Sequence, residues 1–344
     1  MTEKQLIITF DYELFLGSES GSVSLCQIIP TEELRQTLNR YGLKGIFFVD
    51  TTHLLRLREL KNDHPKVQED WDMIGNQLAQ LVEEGHYVYP HLHPHWLDAE
   101  YNPEANQWKL TNYQKYRFAK ISDEERAYVF DQSVEVLKEM IPHADYRIEG
   151  YRAGGWCIQP FSDFLPFFQK HGIYGEFSVL KGRIAHTTTV DFDFSQVKEN
   201  IYPFSEDVCT RDENGDFVEL AISSVHIDAT TRWKSKWLNR LLWRTKVGRS
   251  MGRGTGAVQK VLNPVPNPEY ADKEMVSIEL LNLYKLPLYR RFLSQNDYMH
   301  FISHPKMISK HNLAVFNRFL KEASEKYKLE SDWKKISAKA VVNL

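Results

Sequence analysis

Three histidines alternate along HLHPHW (His91, His93 and His95), and His86 stands just upstream at the start of HYVY. Near the N-terminus, ITFDYE sets Asp11 and Glu13 two residues apart. On an extended backbone that spacing points both carboxylates to one side. Imidazoles and carboxylates brought together make a mixed nitrogen and oxygen ligand set, which zinc, iron, cobalt or nickel accepts. A cation held there with open positions would carry water and lower its pKa toward neutrality, which is hydrolytic chemistry. A histidine group alone is as often a polar loop as a metal site, so the surrounding elements must decide.

Those elements read as strands alternating with helices. LIITF (6–10) and GIFFV (45–49) suit buried strands, and HYVY (86–89) is a third. Further strands are expected at RIEGY (147–151), IYGEFSV (173–179), FVELAISSV (217–225) and YMHFIS (298–303). Between them, PTEELRQTLNRYG (30–42) has a helix start at Thr31 and a left-handed stop at Gly42. Trp71, Ile74, Leu78, Leu81 and Val82 mark one face of a helix ending at Gly85. SDEE (122–125) is a capping box, and a last helix is expected over 310–328.

This alternation predicts an α/β chain folded as a (β/α) barrel of about seven parallel strands. In such barrels chemistry sits where strands end. Asp11 and Glu13 follow LIITF, the histidines follow HYVY, Arg152 follows RIEGY, and His304 follows YMHFIS. Four such coincidences favour a site over a loop. His86, at the start of its strand, reads as a packing or capping residue.

The 344 residues, 42% hydrophobic and 26% charged, carry a net charge of −3, which argues against a nucleic-acid partner. Three scattered cysteines, Cys26, Cys157 and Cys209, suggest neither a disulfide framework nor a thiolate metal site. MTEKQLIITF enters a strand directly, with no leader-like segment, so a cytoplasmic protein is expected.

The residues resemble the polysaccharide deacetylases, the NodB-like carbohydrate esterases of family 4. Their first motif, T-F-D-D with a D-x-D/E variant, is matched by Thr9-Phe10-Asp11-Tyr12-Glu13. Their second is matched by Gly85-His86 followed by His91 and His95. The third is matched by Arg152-Ala153-Gly154-Gly155-Trp156, and the fifth by Phe301-Ile302-Ser303-His304-Pro305. The likeness runs from roughly residue 5 to 320, and the HLHPHW and YRAGGW forms are those of a subgroup associated with cell-surface polysaccharide gene clusters. Leu92 and Gly154 depart from the family pattern, and no clear fourth motif is present; Asp191 or Asp193 in VDFDFS is the candidate.

The resemblance implies one NodB-like domain over 1–344, folded as a distorted (β/α) barrel, with insertions near 97–120 and 229–295. It implies one divalent metal, zinc first with iron, cobalt or nickel as alternatives, held by Glu13, His91 and His95. His93 is an extra candidate ligand. Asp11 would act as base, Arg152 would orient it, and His304 would protonate the leaving amine. A backbone N–H near Gly155 or Trp156 would steady the oxyanion. The expected activity is deacetylation of an N-acetylated sugar, free or lipid- or nucleotide-linked, in cell-surface polysaccharide biosynthesis. The alternatives are a deformylase or other C–N hydrolase with the same centre, and a non-catalytic carbohydrate-binding protein.

One segment falls outside this scheme. Residues 229–260 hold nine Lys or Arg and no acid, interleaved with Trp233, Trp237 and Trp243. A solvated helix packed through its tryptophans is the expectation. Peripheral membrane contact through 232–246 is the alternative.

Overall fold

A computed structural model describes residues 1–262 and 270–342; the turn-rich break NPVPNPEY (263–270) lies, apart from Tyr270, outside the described residues. The apolar runs form a nine-stranded sheet: β1 (Glu3–Tyr12), β2 (Ile46–Asp50), β3 (Tyr87–Leu92), β4 (Gly150–Ala153), β5 (Gly175–Glu176), β6 (Ile201–Phe204), β7 (Phe217–Leu220), β8 (Tyr298–Ser303) and β9 (Lys328–Glu330). The strand order is β6-β7-β5-β4-β3-β2-β1-β8, and β9 pairs with the first residues of β1. Every pairing is parallel except β6 with β7. Beyond β7 the chain reaches back to β8. Ser223 N–H donates to the His300 carbonyl at 3.3 Å, and Ser223 Oγ accepts from His300 N–H at 2.9 Å. The sheet therefore curls into a distorted (β/α) barrel.

Its strands are buried on both faces: β1 from Leu6 onward, and all of β2, β4 and β8. This is why they read as continuous apolar runs rather than alternating ones. Helices α1 (Ile29–Arg40), α2 (Thr51–Leu60), α3 (Pro65–Glu83), α4 (Asp123–Met140), α5 (Leu165–His171), α6 (Ala229–Leu242), α7 (Leu286–Gln295), α8 (Lys310–Lys326) and α9 (Trp333–Val342) fall between or after the strands. α3 buries Trp71, Ile74, Leu78 and Leu81. It is followed by Gly85 at φ +84°, a left-handed position glycine adopts without strain. α4 opens on the Ser122/Glu125 capping box.

Several boundaries differ from the sequence reading. α1 begins at Ile29, continuing a short π-helical turn (Ser24–Ile28), so Thr31 lies buried inside the helix and caps nothing. β3 runs on through Pro90 to Leu92, held between β2 and β4. The fifth and sixth expected strands are shorter: β5 keeps two residues of 173–179, and 217–225 breaks at Ala221 into β7 and a strand Ser224–His226 that pairs instead with Lys273–Met275. Residues 97–120 fold partly as a hairpin, Glu100–Asn102 against Gln107–Lys109, with Trp108 buried on Trp96. The tryptophans of α6 do not pack inward. Trp233 and Trp237 are 67% and 53% exposed.

Candidate metal centre

Parallel register brings the chemistry-bearing residues to one end of the barrel. Asp11 stands opposite Phe48, Asp50 opposite His91, His91 opposite Arg152, and Phe10 opposite Ser303, the residue before His304. A cavity of about 360 Å³ opens there. Its floor carries Asp11, Glu13, His91, His93 and His304; Tyr116, Trp156, Arg183, Phe192 and Gln259 form its walls.

Three ligand-type atoms converge on that floor. Glu13 Oε2 lies 2.9 Å from His93 Nε2 and 3.6 Å from His91 Nε2, and the two imidazole nitrogens are 3.1 Å apart. His91 Nδ1–H donates to the Arg152 carbonyl at 2.8 Å, which leaves Nε2 with its lone pair toward the group. Glu13 Oε2 is buried without a hydrogen-bond partner among the described residues. Two nitrogens held roughly 2.05 Å from a tetrahedral ion would sit roughly 3.3 Å apart, close to the separations observed. The donor set and its spacing fit a divalent cation. The other Glu13 oxygen accepts from Lys306 Nζ at 2.8 Å, and that ammonium also donates to the Leu14 carbonyl. Burial alone would raise the Glu13 carboxyl, but Lys306 and the histidines hold it well below its ordinary range.

Beside this group lies a buried ion pair. Arg152 donates to Asp11 Oδ1 at 2.7 Å, and neither side chain is more than 5% exposed. Its other nitrogens donate to the Phe177 carbonyl at 3.0 Å and to Thr9 Oγ1 at 2.8 Å, and its guanidinium covers the Phe48 ring. His300 Nε2 stands 3.3 Å from the same guanidinium, and burial plus that charge keep His300 neutral. Burial would raise the Asp11 carboxyl too; Arg152, His91 and His304 outweigh it and keep Asp11 ionised.

The third element is His304. Its Nδ1 faces both oxygens of Glu279 at 3.1 and 3.2 Å, while Nε2 points to Asp11 and Glu13 at 3.6 Å each. Burial disfavours its charged form, but Glu279, then Asp11 and Glu13, raise its pKa to about 9. His304 is therefore charged at neutral pH, with one N–H directed at the cavity floor.

The remaining expected residues divide. His95, one of the three expected metal ligands, does not join Glu13 and His91. Its ring stacks on Tyr116 at 4.8 Å, neither nitrogen has a partner among the described residues, and burial then His93 hold it neutral. The cause is local: a 3-10 turn at Pro94–Asp98 ends the alternation and swings His95 away, while His93 stays on the His91 side. Gly154 allows this approach, because a Cβ there would meet the Leu92 carbonyl at 2.2 Å and the His93 ring at 2.9 Å. Gly155 and Trp156 both take φ +60° at the cavity wall, an unfavourable conformation for tryptophan. Asp193 is exposed at the far side of the Ile184–His186/Asp191–Asp193 hairpin, and Asp191 pairs with Arg117 and His186. Neither touches His304.

No family model matches the chain, and no curated protein matches it in sequence. Solved structures do match in shape. A Mycobacterium smegmatis protein assigned as a polysaccharide deacetylase superposes with a TM-score of 0.50 at 12% identity, over 99% of this chain and 91% of that one. The chain has the polysaccharide deacetylase fold. Looser matches are the catalytic domain of a peptidoglycan N-acetylglucosamine deacetylase from Eubacterium rectale (TM-score 0.40, 11% identity, 95% and 88% coverage) and a 4-alpha-glucanotransferase from Thermococcus litoralis (0.46, 14%, 97% and 38%).

On this deacetylase fold, the residues that sequence reasoning missed are those that hold others in place. Glu279 grips His304, Lys306 grips Glu13, and Thr9 with His300 brackets Arg152. Only His300 could have been suspected, from its place three residues before the end of YMHFIS on the same strand face as Ile302 rather than Ser303.

Proposed function

We propose that this chain is a metal-dependent amide hydrolase that removes the acetyl group from an N-acetylated sugar. The observation that carries the reading is the convergence of Glu13, His91 and His93 between an Asp11–Arg152 pair and a His304–Glu279 pair. A divalent cation at that group, zinc by its ligand types, supplies Lewis acidity toward water and the amide carbonyl.

The chain's own residues do the rest. Arg152 keeps Asp11 ionised, so its free oxygen accepts the proton lost by the attacking water. His304 arrives protonated and hands its Nε2 proton to the departing amine nitrogen, since an amine anion is a poor leaving group. Glu279 fixes His304 through Nδ1 and keeps the donating edge turned inward. The turn at Gly155 and Trp156 presents backbone toward the same cavity, where an oxyanion would need donors. Tyr116, Trp156 and Phe192 line the walls with ring faces on which sugars stack. The polysaccharide deacetylase assignment of the Mycobacterium smegmatis neighbour supports a saccharide substrate. A lipid- or nucleotide-linked intermediate of cell-surface polysaccharide synthesis, made in the cytoplasm, is the finer reading. Metal-loaded protein should release acetate from N-acetylhexosamine donors and stop after chelation. Turnover unaffected by chelation, or no acetate from any such donor, would overturn it.

A further inference from the structure

Helix α6 turns its indoles away from the body. Its one buried side chain is Ser235, which donates to Asn282 Oδ1 at 3.3 Å, and Asn282 also reaches Asn239. The opposite face carries Trp233, Trp237 and Leu241, which are 67%, 53% and 54% exposed, and Trp243 (64%) follows at the C-terminal end. A helix stabilised by tertiary packing ordinarily buries its apolar stripe and solvates its polar one. Here Ser235, with half-buried Leu238 and Leu242 on its side, faces the body, and the indoles face solvent. Contiguous aromatic exposure of this kind marks an interaction surface.

Charge says what covers it. Lys234, Lys236 and Arg240 flank the indoles, and Arg244 and Lys246 continue past the helix; among the described residues none of these five has a carboxylate within ion-pair distance. Arg232 alone on the helix approaches one, Asp272 at 3.9 Å. No acid occurs anywhere from 229 to 260. A protein partner's groove would meet the apolar stripe, but a uniform fringe of unpaired cations around tryptophans matches an interface of anionic headgroups over acyl chains. We propose that α6 docks the protein peripherally on an anionic lipid surface, lying in the plane of the interface. No helix among the described residues is long and apolar enough to cross a membrane, so the contact is a surface one. From α6 the chain leads to Gln259 and Val261 on the rim of the cavity. The docking needs nothing of the proposed reaction and is tested without it.

The experiment is sedimentation of the full chain with vesicles of phosphatidylcholine, alone or with one-third phosphatidylglycerol. The protein should sediment with the anionic vesicles at low salt, not with the neutral ones, and should detach as salt rises. Trp233→Ser/Trp237→Ser should weaken binding on the order of 100-fold. Lys236→Ala and Arg240→Ala should each weaken it about five-fold. All these side chains are exposed, so circular dichroism and thermal unfolding should match the wild type; the charge variants keep the test open if the double variant misfolds. No sedimentation at low salt, or equal sedimentation of wild type and Trp233→Ser/Trp237→Ser, overturns the proposal. So does a wild-type dimer that the same substitutions convert to monomer, which would assign the face to a second copy.

Discussion

Replacing Arg152 by methionine should produce a destabilisation whose pH dependence is set chiefly by Asp11. The methionine keeps an apolar stem against Phe48 but removes the partner that sits 2.7 Å from Asp11 Oδ1, leaving a carboxylate that is 5% exposed. Removing one partner of a buried pair costs about 3–5 kcal/mol. Asp11 can limit the cost by taking a proton, and protonating a carboxyl of ordinary pKa costs about 4 kcal/mol at pH 7 and about 1.5 kcal/mol at pH 5. The sign follows from linkage. In the wild type the folded pKa is lowered, so this group's contribution is present above the unfolded pKa and lost as pH falls. In the variant the folded pKa is raised, so stability falls as pH rises. Urea unfolding of metal-free protein should therefore show a loss near 4 kcal/mol at pH 7 that shrinks by about half or more at pH 5. Asp11→Asn/Arg152→Met should recover most of the loss at pH 7. Equal losses at both pH values, or a double variant as unstable as the single one, would refute the view that the loss comes from an Asp11 charge left without its guanidinium.

Other expectations follow from the same geometry. Asp11→Asn and His304→Ala should each lower the deacetylation rate about 10²- to 10⁴-fold with the fold intact by circular dichroism; full activity in either removes it from its role. The rate should fall as pH rises through about 9, where His304 loses its proton, and in Glu279→Gln that limb should move to lower pH because the chief cause of the raised pKa is gone; an unmoved limb contradicts the pairing. Asp70 is buried, with Asn106 as its side-chain hydrogen-bond donor among the described residues, and burial raises its pKa to about 6. Its charged form opposes folding above that value, so Asp70→Asn should stabilise the protein by about 1–2 kcal/mol at pH 8 and by almost nothing at pH 4. A gain that persists at pH 4 would show another cause.

Much of this was legible in the sequence because parallel barrels write their function at strand ends. Runs such as LIITF and YMHFIS are largely apolar rather than alternating since both faces are buried, and the residues that follow them, Asp11 and His304, fall at the barrel mouth. Periodicity could not resolve His93 from His95. Two-residue alternation holds only while the backbone is extended, and the 3-10 turn at Pro94 rotates the chain at the point where the two histidines diverge. Nor could spacing find Glu279, which lies 25 residues before His304 with α7 and β8 between them, or Lys306, which bends back through Pro305 onto Glu13. For α6 the pattern was correct and the direction wrong. An amphipathic helix has two faces, and the sequence does not say which one meets the body; Ser235 does.

The most direct test of the centre is metal content by elemental analysis of wild type, His93→Ala and His95→Ala. The account predicts about one divalent metal per chain in the wild type and in His95→Ala, and loss of it in His93→Ala. Metal retained by His93→Ala and lost from His95→Ala would contradict it.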